Sequence, residues 1–232
     1  IQGNMIGLDK DGTADISTGA GIHLSGGANT LVGGPSASAR NIISGHANGI
    51  ILSMSGSAVN TVIQGNYVGT NATGDAALNN LGVGTVCGIV VGNGAEHNVV
   101  GGTSAGARNI ASIIYLTSAN NVVQGNYVGT NAAGNAVLGN GDGVWVLYGH
   151  DNLIGGMDPG AGNLIAGSGG AGGPFGAGKD DIGLTTLQFG RNPSRLETAD
   201  VASIDPRNGA AQAQRIVVAS PDCEAEIVHC VR

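Results

Sequence analysis

Short apolar runs, each fenced by glycine, asparagine or serine, recur along the first 170 residues of this chain. Five of them read Ile22-His23-Leu24, Ile50-Ile51-Leu52, Ile89-Val90-Val91, Ile114-Tyr115-Leu116 and Val144-Trp145-Val146. Branched residues in runs this short, bounded by turn formers, predict β-strands. No segment keeps a 3.6-residue apolar period over several turns, which excludes a helical solenoid. Side chains alternate along a strand, so the first and third positions of each run point inward and the middle one outward.

The runs belong to a larger repeat. Gln-Gly-Asn begins at residues 2, 64 and 124, and the phrase from Val62 to Asn71 returns almost unchanged from Val122 to Asn131. The copies lie about 60 residues apart, a period that signals a repeat architecture. Between them come Leu31-Val32-Gly33-Gly34, Val99-Val100-Gly101-Gly102 and Leu153-Ile154-Gly155-Gly156. Each is followed by a turn and then by Arg40-Asn41-Ile42, Arg108-Asn109-Ile110 or Gly162-Asn163-Leu164. Roughly 25 to 40 residues separate the starts of successive apolar runs, the length of one circuit carrying three short strands. Stacked circuits would pair each strand in parallel with its counterpart. An antiparallel sandwich would need two-residue hairpins at even spacing, and the sequence lacks them.

These phrases resemble bacterial right-handed parallel β-helix repeat proteins, a group that shares its fold with the pectate-lyase-like superfamily. The resemblance covers residues 1 to about 170. It implies an all-β chain wound as a right-handed, single-stranded parallel β-helix. It also implies export, to the outside or the cell surface of a bacterium. It leaves function open, because the superfamily holds lyases, hydrolases, adhesins and passive stalks. The chain starts within a repeat, at Ile1, and is read as a fragment with further coils upstream.

In such a fold, asparagines at matched corners can bond to one another from coil to coil. Asn66 and Asn126 form one expected ladder, and Asn41, Asn109 and Asn163 a second. The outward middle positions are His23, Ile51, Val90, Tyr115 and Trp145. An exposed sheet face would normally be polar there, yet this row is apolar and turns aromatic toward its end. Its rings are candidates for stacking on a polysaccharide. They are equally candidates for cover by the C-terminal segment or by a neighbouring protein surface.

Composition narrows the partners. Charged residues make up 11% and hydrophobic ones 41%, with 44 glycines, so the chain has the means for a core but few salt bridges. A net charge of −7 argues against nucleic acid. No apolar run reaches the length of a transmembrane helix. Exposed coil ends make end-to-end self-association, as a filament subunit, a third reading.

From about Gly167 the grammar changes. A glycine-rich link leads to residues 171–232, a divergent segment with none of the repeating phrases, read as a cap, a docking segment or unrelated sequence. Cys87 stands alone, while Cys223 and Cys230 could pair or stay free.

Little in the chain has the form of catalytic chemistry. Asp180-Asp181 invites comparison with the paired carboxylates of polygalacturonase-type enzymes, but the Gly-His-Gly and Arg-Ile-Lys phrases of that family do not follow. No Arg or Lys lies between Arg108 and Lys179, where a lyase would place its base. The five histidines lack metal-binding spacing. Asp9, Asp11 and Asp15 alternate around Gly12 like one arm of a calcium loop. They are the candidate calcium ligands, with a solvated turn as the competing reading; no other cofactor is expected. The preferred function is a non-enzymatic extracellular scaffold or adhesion segment able to bind polysaccharide. A lyase or glycoside hydrolase fragment is the alternative.

Overall fold

The computed structural model describes residues 1–16, 19–46, 48–52, 57–78, 88–138, 143–147 and 149–166, and the backbone of 182–185, 197–204 and 211–218. Cys87, Cys223, Cys230 and Asp180-Asp181 lie outside these.

The chain winds as a parallel β-helix with three strands per circuit. The first sheet takes Met5–Ile6, Ile42–Ile43, Tyr67–Val68, Ile110–Ala111, Tyr127–Val128 and Asn163–Ile165 in sequence order. The second takes Ala20–Leu24, Asn48–Leu52, Ile89–Val91, Ile114–Leu116 and Val144–Leu147. The third takes Leu31–Gly33, Val62–Gln64, Val99–Gly101, Val122–Gln124 and Leu153–Ile154. Neighbours within each set pair in parallel and in register, as in Ile89↔Ile114 and Ile114↔Val144. Inward side chains stack accordingly into one core. Ile43, Val68, Ala111, Val128 and Ile165 line the first sheet, Ile50, Leu52, Ile89, Val91, Ile114 and Leu116 the second, and Val32, Ile63, Val100 and Val123 the third. Each is fully buried. Burial of a Val, Leu or Ile contributes about 1.5–3 kcal/mol, so the stack is the main source of stability.

Odd and even circuits differ. In the first, third and fifth, the chain leaves the first sheet on an excursion closed by the antiparallel bridges Leu8↔Asp15, Thr70↔Ala77 and Thr130↔Val137. In the second and fourth it turns directly, through Ser44-Gly45-His46 and Ser112-Ile113. The excursions touch one another: Ala72 N donates to Gly12 O at 3.0 Å and Ala132 N to Gly74 O at 2.8 Å. Each therefore fills two strand spacings, about 9.6 Å. An excursion on every circuit would have no room. That is why the sequence repeats after two circuits rather than one.

Glycine is required where the circuits are closest. Gly33 and Gly101 adopt φ of 81° and 92°, and a Cβ on either would overlap the carbonyl oxygen of Gln64 or Gln124 in the next circuit.

Beyond residue 170 the backbone continues two of the sheets. Ile182–Thr185 pairs in parallel with Val144–Leu147, and Glu197–Ile204 with Asn163–Ile165. Ala211–Val218 then pairs antiparallel to Glu197–Ile204. Among the described residues, no helix is long and apolar enough to cross a membrane.

Candidate functional site

The outward row of the second sheet is the feature on which recognition would rest. Val144 and Val146 enter the core and Trp145 stays out of it, as strand alternation requires. Tyr115 and Trp145 are direct register partners. Their ring centroids lie 5.3 Å apart with the planes tilted by 55°, an arrangement favourable for aromatic pairs. The row is not uniformly open. His23 is exposed and Tyr115 half-buried, whereas Ile51 is 5%, Val90 7% and Trp145 7% exposed. On the far side of Trp145 the next strand places Gly183 opposite it.

Asparagine chemistry fills the corner that leads into the first sheet. The two expected ladders, Asn66 with Asn126 and Asn41 with Asn109 and Asn163, interleave into one, and Asn4 extends it. Asn4 Nδ2 donates to Asn41 Oδ1 at 3.0 Å, and Asn41 Nδ2 to Asn66 Oδ1 at 2.9 Å. Asn66 continues to Asn109 at 3.0 Å, Asn109 to Asn126 at 2.9 Å and Asn126 to Asn163 at 3.0 Å. The same amides also reach back across the circuits. Asn109 Nδ2 donates to Ile63 O at 2.8 Å, and its Oδ1 accepts from Asn66 N at 3.0 Å. Asn41, Asn66, Asn109 and Asn126 are fully buried, Asn163 nearly so, and a primary amide in such a site can satisfy both its donors and its acceptor.

A second polar column stands at the opposite corner, before the third sheet, and sequence reasoning missed it. Asn29, Asn60, His97, Asn120 and Asp151 occupy the left-handed region, with φ between 54° and 59°. Asn and Asp tolerate that conformation better than most residues. The residues after them form the ladder: Thr61 N donates to Asn98 Oδ1 at 2.8 Å, Asn98 Nδ2 to Asn121 Oδ1 at 3.1 Å and Asn121 N to Asn152 Oδ1 at 2.9 Å. The signal was present as polar pairs before each third-sheet strand: Asn29-Thr30, Asn60-Thr61, His97-Asn98, Asn120-Asn121 and Asp151-Asn152.

Comparison with family models, with curated proteins and with solved structures returns no match. Geometry alone must therefore carry the functional reading.

Two arginines act as clamps between circuits. The Arg40 guanidinium lies 4.0 Å from the Tyr67 ring centroid, and Arg108 lies 3.8 Å from that of Tyr127. Each also donates through Nε to a glycine carbonyl, Arg40 to Gly65 at 3.2 Å and Arg108 to Gly125 at 3.3 Å. The Arg-Asn-Ile phrase of one circuit thereby grips the Gln-Gly-Asn-Tyr phrase of the next.

The excursions hold the calcium candidates, and the structure does not bring them together. Asp9 Oδ1 accepts from Thr13 N at 2.8 Å and Ala14 N at 3.1 Å, while Oδ2 accepts from the Thr13 hydroxyl at 3.2 Å. Asp11 pairs with Lys10 at 2.7 Å in full solvent, and Asp15 stands at the closing bridge. Among the described residues, no three His, Cys, Asp or Glu side chains gather where a metal ion could sit. Asp9 does the work of a turn: the Ala14 and Thr13 amides hold its carboxyl below the usual range. Asn71 and Asn131 take the same place in the later excursions, accepting from Asp75 N at 3.1 Å and Asn135 N at 3.0 Å. Asp75 is likewise lowered, by the Asn71 side chain and then the Thr73 hydroxyl. One further ionisable pair, His150 with Asp151 at 2.9 Å, is exposed at the second corner.

Proposed function

We propose that this chain is a non-enzymatic, extracellular β-helical scaffold, which presents its outward rows to a covering protein segment or to a polysaccharide. The observation that carries the reading is where the polar side chains are used. The buried asparagines are joined along the axis, Arg40 and Arg108 are spent on clamps, and the excursion heads bind their own backbone. Such a molecule is built to be long, stiff and regular. The Tyr115–Trp145 pair is then its anchoring feature, and the burial of Trp145 favours packing against protein at that end of the row. The exposed His23 and the half-buried Tyr115 favour polysaccharide contact at those two positions, with Ile51 and Val90 buried between them.

Incubation with a panel of acidic and neutral polysaccharides tests the reading. Retention without new reducing or unsaturated ends is the expected result. Release of either kind of end would establish the alternative, a lyase or hydrolase fragment. Concentration-dependent light scattering without any polysaccharide would favour the filament subunit.

A further inference from the structure

The corner between the first and second sheets is closed in two ways. Excursions fill it in the odd circuits; the even ones turn through Ser44-Gly45-His46 and Ser112-Ile113. Ile113 is 7% exposed and His46 only 4%. Strand register sets Ile114 level with Ile50, so Ile113 matches Gly49 rather than His46.

The His46 ring lies where Cβ atoms would project from Gly7 and Gly21 of the first circuit, with the Ile6 backbone nearby. It is therefore seated against the first circuit from the second. On its other side, the Ser44 hydroxyl donates to Thr70 O of the third circuit at 2.7 Å. The neighbouring Gly45 packs against Asp15, the last residue of the first excursion's bridge. Among the described residues, Asp15 is the titratable group these contacts place beside the corner. Gly7, Gly21 and Thr70 contribute only neutral groups.

We propose that His46 is a pH-sensitive latch, which holds the first circuit and its excursion on the second while neutral and releases them when protonated. Burial pushes its pKa below the ordinary value, and the nearby Ile6 backbone only partly opposes this. A group with a depressed pKa contributes its stability in full above the unfolded value, about 6.5 for histidine. That contribution falls away as the pH drops from there toward the folded pKa. Acidification then loosens residues 1–24 and bares the strand edges of Ile42–Ile43 and Asn48–Leu52, which are competent to pair with another chain.

Amide hydrogen exchange, corrected for intrinsic rates, reads the opening directly. Protection of residues 1–24 should fall by up to about thirtyfold between about pH 7.5 and about pH 5, the linkage limit for one histidine kept neutral in the fold. Protection across residues 110–128 should not follow, and His46→Ile should remove the loss. Equal protection at both pH values overturns the latch, as does a loss that persists in His46→Ile. Should that variant fail to fold, the imidazole resonances of the parent protein decide. A midpoint below the ordinary histidine value supports the latch, and one at or above it overturns it.

Discussion

The corner before the first sheet and the excursions beside it use the same chemistry at two depths. In both, an Asn or Asp oxygen accepts backbone amides. In the corner, Asn109 bonds to Asn66, Ile63 and Asn126, so one amide sutures three circuits where water cannot compete. In the excursions, Asp9, Asn71 and Asn131 bond only within their own turn, through bonds that are exposed at the first two and part-buried at Asn131. A buried group left without a partner loses its full hydration, whereas an exposed one recovers it. Identical bonds should therefore carry very different weight.

Breaking the buried ladder should have the largest effect. Asn109→Ala takes the side-chain partner from Asn66 N and from Ile63 O, while Asn66 Nδ2 keeps Val32 O and Asn126 Oδ1 keeps the backbone amide of residue 109. Two buried groups deprived of that partner, at about 1–3 kcal/mol each, predict a loss of about 2–6 kcal/mol in urea unfolding. A loss below about 1 kcal/mol would mean that water or a relaxed backbone replaces the ladder, and the contrast between depths would fail.

Trp145→Ala probes the outer row by the same logic. With Trp145 7% exposed, its truncation should cost about 3–5 kcal/mol, as for a buried aromatic. A nearly unchanged melting temperature with lost polysaccharide retention would instead make the ring a sugar platform. Because Trp145 is the only tryptophan, deletion of residues 171–232 gives a clean optical signal. A red shift of its fluorescence would show that this segment contributes to the cover.

The clamps should rank between the two depths. Arg108→Ala removes a ring contact and one carbonyl bond, together worth about 1–2 kcal/mol. Arg108→Lys keeps the charge but loses the planar donor to Gly125, and should recover less than half of it.

The strands and their parity were legible because alternation needs only three residues to declare itself, as in Val144-Trp145-Val146. The parallel stack was legible because long phrases recur. The ladder was harder. Its members sit in two unlike phrases, Gln-Gly-Asn and Arg-Asn-Ile, and only the alternation of long and short circuits threads them together. The left-handed column escaped because no single residue recurs in it: Asn, Asn, His, Asn and Asp share a backbone preference, not a letter. The burial of Trp145 depends on residues remote in the chain, which no local pattern encodes.

The excursion heads give the smallest and most discriminating test. Asp9, Asn71 and Asn131 hold equivalent places, so the position asks for an acceptor oxygen and not for charge. Asp9→Asn should leave the melting midpoint near its parent value at neutral pH. Asn71→Ala, which removes the acceptor, should cost about 0.5–1 kcal/mol. The two differ again in acid. The Asp9 carboxyl is held low by the Ala14 and Thr13 amides. Its contribution is complete above the unfolded carboxylate value, about 3.9, and fades as the pH falls through its lower folded value. Asp9→Asn should flatten that limb of the stability curve, since an amide keeps accepting when a carboxylate has been protonated. Millimolar calcium should leave the midpoint of the parent protein where it is. A rise that Asp11→Asn abolishes would show instead that Asp9 turns its oxygens to a cation, because a ligand bound only by the folded state must raise the midpoint.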